Sequence, residues 1–274
     1  DHPQLPEIIG DLNRLNVKIG LSSMRLSGVT ENLAQKLAQS GLTGLAVAPE
    51  GGSERLRAII NKNLSQAEIL ASARLLASAG LRRLKLYFMI GLPGETEDDI
   101  EDIAKLTKLI YEQTRIKKKG PQIIVSAANF TPKPHTPLED AGLLTESSMR
   151  KRGTLLNKYL KSVGPIELNL DSPKWTIIQG LLARGGPESA NLVWALYHSE
   201  GRAGPALKEY GYSPDHPIHS PGERPRPWRV INIRAGSDYL ATEKELSQKA
   251  QLSPPCPPQG GCGRCLACSS LSLD

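Results

Sequence analysis

The stretch Leu86-Tyr-Phe-Met-Ile-Gly-Leu-Pro-Gly-Glu-Thr96 passes from an apolar run of strand character to a helix start within a few residues. Gly91, Pro93 and Gly94 make a tight turn, and Thr96 caps the helix that follows. Such a turn brings backbone N–H and C=O groups close to whatever binds at the carboxyl end of the strand. That is where open α/β sheets and barrels carry their chemistry. One glycine turn of this kind is common. Two further loops of similar character, Ala48-Pro-Glu-Gly-Gly-Ser53 and Phe130-Thr-Pro-Lys-Pro-His-Thr-Pro137, make it one of a set.

The periodicity between these loops predicts strands over 17–22, 43–48, 84–90, 122–128 and 166–170. Asp1, with Pro3 in the first turn, predicts a helix whose apolar face is Leu5, Ile8, Ile9, Leu12 and Leu15. Further helices are expected from Thr30 to Gly41, from Ser53 to 60, from Ser65 to Gly80, from Thr96 to about 115, and from Thr145 onward. Ser65 and Glu68 form a capping box. Strands alternating with helices of this length imply parallel pairing with right-handed crossovers, which sets all three loops on one rim. The expected class is α/β, a partial (β/α) barrel with a C-terminal helical and irregular extension. Residues 1–165 form the barrel part and 166–212 a helical extension with helices over 174–184 and 188–198. Residues 213–252 are a proline-rich linker with a short strand over 228–233 and a helix over 242–251, and 253–274 are a cysteine-rich tail.

Lysine and arginine outnumber acidic residues 34 to 28, a net charge of +6 held largely in patches at 115–119 and 224–229. Few aromatic residues interleave with these charges, so a solvated basic surface is the favoured reading; nucleic-acid binding stays open. No apolar run is long enough to span a bilayer and no signal peptide is visible, so no membrane association is expected. All four cysteines fall in Cys256-x5-Cys262-x2-Cys265-x2-Cys268. Four thiolates at turn-forming spacing suit a metal better than a disulfide framework and point to a reducing cytoplasm. Spacing alone leaves zinc and an auxiliary iron–sulfur cluster as alternatives, beside a tail of free thiols. His198, His216 and His219 read as surface or loop residues.

Taken in order, Ala48-Pro-Glu-Gly-Gly-Ser-Glu-Arg-Leu-Arg57, Ile60-Asn-Lys-Asn63, Lys85–Thr96 and Phe130–Pro137 resemble the second half of a radical S-adenosylmethionine core domain. Within that superfamily the chain most resembles the group with an N-terminal cobalamin-binding domain and no agreed substrate; methylthiotransferases are more distant. The resemblance implies an enzyme that reductively cleaves S-adenosylmethionine at a [4Fe–4S] cluster to start hydrogen abstraction or cobalamin-dependent methyl transfer. It also implies a CxxxCxxC motif. The first cysteine here is Cys256, so the cluster ligands are expected on a missing N-terminal segment or a partner chain, with an electron donor such as flavodoxin or ferredoxin. On this reading the chain alone is inactive.

The resemblance assigns the ribose and carboxylate of S-adenosylmethionine to Glu50 and to Lys62, or to Arg55 in its place. The adenine falls to the loop of Ile90, Gly91 and Pro93, with backbone groups of Ile90 and Gly91 reading it. Ser22, Ser23 and Arg25 end an earlier strand on the same rim. Three prolines stiffen the 130–137 loop, so Lys133 and His135 are substrate candidates. The resemblance also tips the cysteine tail toward a second iron–sulfur cluster. The alternative function is a non-catalytic α/β binding module whose basic patches and cysteine tail dock RNA or a protein partner. A self-contained barrel enzyme of another kind is less supported, since no acid–base or nucleophile constellation stands out.

Overall fold

The computed structural model describes residues 2, 4–21, 23–115, 119–222, 226–231, 233 and 237–257. The first helix, α1 (Leu5–Arg14), has Gln4 at its N-cap position without a side-chain cap bond and carries Pro6 in its first turn, where a missing N–H costs nothing. It therefore starts later than an Asp1 cap predicts, and Asp1 and Pro3 lie outside the described residues. Ile9 of α1 packs on Leu33 and Leu37 of α2 (Glu31–Gln39), which Thr30 caps and Gly41, at φ +80°, ends.

The strand expected over 17–22 does not form among the described residues. Met24 alone makes a parallel bridge to Val47, its N–H donating to Ala46 C=O at 3.1 Å. Asn16, at φ 55°, and Gly20, which has no side chain to pack, interrupt the extended run.

From there the alternation holds. β1 (Gly44–Glu50) is followed by α3 (Glu54–Ile59), capped by Ser53, and α4 (Gln66–Ser78), opened by the Ser65–Glu68 capping box. β2 (Arg83–Ile90) leads into α5 (Glu97–Gln113), where Thr96 and Asp99 form a second capping box. β3 (Gln122–Asn129) precedes α6 (Glu146–Leu160), and β4 (Glu167–Leu170) precedes α7 (Pro173–Arg184). The four strands lie in the order β1-β2-β3-β4, all parallel, with Leu84 opposite Ile123 and Ile90 opposite Asn129. Sequential, parallel and helix-connected, they form part of a (β/α) barrel wall.

Alternate residues divide the sheet into two faces. Leu84, Leu86, Phe88 and Ile90, with Ile123, Val125 and Ala127, join one buried cluster with Ile69, Leu76, Ile100, Ile103 and Leu156 of α4, α5 and α6. The opposite face carries Lys85, Tyr87 and Met89, all partly exposed, with the Lys85 ammonium 4.8 Å from the Tyr87 ring centre. Parallel sheets are normally covered on both faces; here α4, α5 and α6 pack on one, and among the described residues the other meets α3 and α10 only near Met89.

A second cluster joins Leu143 and Met149 to Ile177, Ile178, Leu181, Leu192, Leu207 and Ile218. It gathers α6, α7, α8 (Ser189–His198) and α9 (Ala203–Glu209), the last of which the periodicity does not signal. The strand expected over 228–233 is replaced by a 3-10 turn, Pro227–Val230. Pro227 has no N–H for a ladder, and Val230 is 90% exposed with no strand beside it among the described residues. The last helix among the described residues, α10 (Ser237–Gln248), begins five residues before 242, with Asp238 in its first turn favouring the dipole. No helix among the described residues is long and apolar enough to cross a membrane.

Candidate cofactor and substrate site

The carboxyl ends of β1, β2 and β3 present the three loops along one edge of the sheet. β1 ends on Glu50, held at φ +69°, after a register irregularity between Val47 and Glu50. Left-handed backbone is uncommon for a residue with a side chain, and here it re-aims the carboxylate. Glu50 Oε1 lies 3.6 Å from Lys62 Nζ, and both side chains are roughly three-quarters buried. The two groups assigned to ribose and methionine carboxylate thus stand together, twelve residues apart, across α3.

The intervening Gly-Gly-Ser is a packing device. A Cβ on Gly52 would sit 2.3 Å from Ile103 N and 2.6 Å from Asp102 C, so only glycine lets the loop lie against α5. Arg57, 1% exposed, donates to Leu64 C=O at 2.7 Å, Gly51 C=O at 2.9 Å and Gly52 C=O at 3.0 Å. Burial lowers its pKa despite the nearby Glu54. Arg55 is likewise engaged: its guanidinium pairs with Asp99 and donates to Gly94 C=O at 3.0 Å. Asp99 also accepts from Ser53 Oγ and from Thr96 N–H, each at 2.8 Å. Burial pushes Asp99 up, but its hydrogen bonds from Thr96, Ser53 and Arg55 outweigh that and leave its pKa lowered. Arg55 therefore ties the first loop to the second.

In the second loop, Gly91 at φ +87° gives its N–H to Glu95 Oε2 at 2.8 Å, while Ile90 C=O accepts from Phe130 N–H at 2.8 Å. Gly91 N–H is thus already committed within the protein, and Ile90 C=O keeps one lone pair. The Glu95 side chain is 1% exposed, and its other oxygen accepts from Arg152 Nε of α6 at 2.9 Å. Burial raises its pKa against those hydrogen bonds. Pro93 borders a neighbouring recess of about 460 Å³ together with Arg55, Leu138 and Lys244.

In the third loop, Thr131 and Pro132 are buried and Lys133 is half-buried. Lys133 borders a cavity of about 630 Å³ whose apolar walls are Ile60, Met89, Phe130, Leu138, Tyr239 and Leu246. Asn61, Asn129 and Glu243 supply polar wall groups. His135 lies elsewhere: at φ +56°, its N–H donates to Glu139 at 2.9 Å and its Nε2 lies 3.2 Å from Trp228 C=O. A carbonyl can only accept, so Nε2 carries the proton and His135 is an anchor for the 226–230 segment.

Ser22 lies outside the described residues; Ser23 and Arg25 are exposed. The Met24–Val47 bridge sets them beside the middle of β1. Cys256 is exposed, and Cys262, Cys265 and Cys268 lie outside the described residues. Among the described residues no group of three or more His, Cys, Asp or Glu is arranged to hold a metal ion. Sequence reasoning misses Asn61, Asn129, Tyr239 and Glu243. α10 reaches the cavity from more than a hundred residues away, and Ser253 N–H donates to Asn61 Oδ1 at 3.1 Å, drawing the chain after α10 over the rim.

Comparison with known proteins bears on this rim directly. The family model described as Radical SAM superfamily matches residues 1–107, which include the first two loops. An uncharacterized protein of Methanocaldococcus jannaschii is 34% identical over 185 residues, covering 68% of this chain and 39% of the relative. The chain thus spans about two-fifths of that protein's length. Residues 1–107 thus match the radical SAM superfamily, and the parallel α/β wall to which they contribute β1 and β2 is consistent with a partial barrel of that kind.

Proposed function

We propose that the chain forms the nucleoside-holding and substrate-facing side of a radical SAM enzyme. The observation that carries this reading is the Glu50–Lys62 pair, 3.6 Å apart at the carboxyl end of β1. A rim carboxylate can accept from two ribose hydroxyls, and an ammonium can pair with the methionine carboxylate. Their mutual attraction across 3.6 Å of partly wetted rim is weak, so separating them for a ligand costs little. The apolar walls at Ile60, Met89 and Phe130 would keep water from a reactive carbon centre.

Residues 1–255 contain no cysteine, so they do not fit a [4Fe–4S] cluster, whose thiolates in this reading come from a CxxxCxxC segment outside them. An electron donor such as flavodoxin or ferredoxin, a cobalamin domain, and a second metal at the cysteine tail belong to the same proposal. Two measurements test it. The isolated chain should bind S-adenosylmethionine, with Glu50→Gln and Lys62→Met each weakening binding about tenfold. Joined to its cysteine-bearing segment and reconstituted without oxygen, it should form 5′-deoxyadenosine with a reductant; absence of that product rejects the reading.

A second reading, as an RNA-docking module, draws on α8. Trp194 and Tyr197 are 62% and 74% exposed and stack with ring centres 5.7 Å apart. Such a pair can accept an unpaired base. Salt-dependent quenching of Trp194 fluorescence by single-stranded RNA, without S-adenosylmethionine binding, would favour it.

A further inference from the structure

Among the described residues, Lys133 is the single basic one on the wall of the 630 Å³ cavity. Its ammonium has no hydrogen bond or ion pair with any described residue, and burial alone lowers its pKa. The carboxylates on the same wall, Asp171 and Glu243, do not pair with it. Asp171 is exposed, and Glu243 accepts from Ser253 Oγ. A partly desolvated cation without a counter-ion is a cost that a bound anion removes.

A second polar group points the same way. Asn129, at the end of β3, is 8% exposed and donates from Nδ2 to Thr176 Oγ1 at 3.1 Å. Thr176 gives its own proton to Ser172 C=O at 3.1 Å, so its oxygen can only accept from Asn129. That fixes the amide orientation and leaves Asn129 Oδ1 buried without a donor. An unsatisfied buried acceptor of this kind is itself expensive and calls for a partner.

We propose that the cavity binds a small molecule with an anionic group, carboxylate or phosphate, on Lys133 Nζ and an N–H or O–H on Asn129 Oδ1. Its apolar body lies on Ile60, Met89 and Phe130. This names the substrate class for the rim already read as an active site, and rests on that reading.

Calorimetric titration of the chain tests it, with hippurate (carboxylate, amide N–H and phenyl), phenyl phosphate, and the neutral benzyl alcohol as probes. At least one of the two anions should bind about tenfold or more tightly than benzyl alcohol, and the tighter one identifies the anion class. Lys133→Met should weaken that anion about tenfold, while Lys133→Arg keeps most of the affinity. Asn129→Ala should weaken hippurate and leave phenyl phosphate, which lacks an N–H, unchanged. Anion binding that is absent, matched by benzyl alcohol, or indifferent to Lys133→Met overturns the proposal. So does hippurate binding that ignores Asn129→Ala. S-adenosylmethionine titrated in parallel separates the two readings: its failure to bind beside intact anion binding rejects only the nucleoside assignment.

Discussion

Arg152 on α6 donates to the almost fully buried carboxylate of Glu95, whose second oxygen holds Gly91 N–H. One acidic side chain thus joins a helix to the glycine turn at the end of β2. Arg152→Met leaves a buried carboxylate with one donor fewer, which costs about 3 kcal/mol at pH 8, the low end for breaking a buried pair since Arg152 is itself partly exposed. Burial already raises the Glu95 pKa, and losing the arginine raises it further. A raised carboxyl binds its proton more tightly folded than unfolded, so its stabilising protonation is complete below the ordinary carboxylate range and lost as pH climbs through the folded value. Urea denaturation should therefore show the Arg152→Met defect shrinking from pH 8 to pH 5; a constant defect would contradict the pairing.

Gly52→Ala should be among the most damaging single-methyl additions in the chain. The added carbon would meet backbone atoms of Asp99, Asp102 and Ile103, which cannot rotate away as a side chain does. A loss of about 3 kcal/mol is expected, the upper part of the overpacking range. Gly28→Ala, with nothing within 4 Å and an ordinary φ, is the control and should change stability by less than about 1 kcal/mol.

Arg57→Lys tests whether the first loop depends on charge or on the shape of the guanidinium. Three carbonyls, of Gly51, Gly52 and Leu64, accept from its Nε and Nη1. A lysine ammonium keeps the charge but lacks the fork. At least one buried carbonyl then goes unpaired, at about 1–3 kcal/mol. Thermal denaturation reads the loss, and faster amide exchange at Leu56 and Arg57 would place it.

Asp140 holds the C-terminal segments onto the third loop, accepting from Arg226 at 2.7 and 2.8 Å and from Lys244 at 3.1 Å. Burial pushes its pKa up, but those two cations outweigh it and hold the carboxyl below its ordinary value. Its contribution is present above the ordinary carboxylate pKa and disappears as pH falls through the lower folded value. In a Trp175→Phe, Trp194→Phe background, Trp228 fluorescence should report release below about pH 4, because its indole N–H bonds Glu139 at 3.1 Å. Asp140→Asn should show the released signal at neutral pH.

Much of the wall was legible beforehand because its signals are local. Thr30, Ser53, Thr96 and Thr145 each accept from a backbone N–H three residues on, and Ser65 and Thr96 complete capping boxes. The expected strand at 17–22 failed for a different reason: a strand exists only through a partner, and Met24 finds β1 at one residue. The expected strand at 228–233 failed likewise, with Val230 left in solvent. α9 escaped notice because seven residues, Ala203–Glu209, are too few for a period to show.

The sequence by itself determined the alternation of strand and helix, the parallel sense of the sheet, and the arrival of three glycine- or proline-rich loops at one edge. Each follows from caps, turns and periodicity within a few residues. Only the tertiary structure decided that Glu50 faces Lys62, that Arg55 and His135 are spent on internal bonds, and that Asn129 and Lys133 share a cavity roofed by α10. Those relations depend on where distant backbone comes to rest, and hydrogen bonds between residues 39 and 192 positions apart leave no periodic trace in the chain.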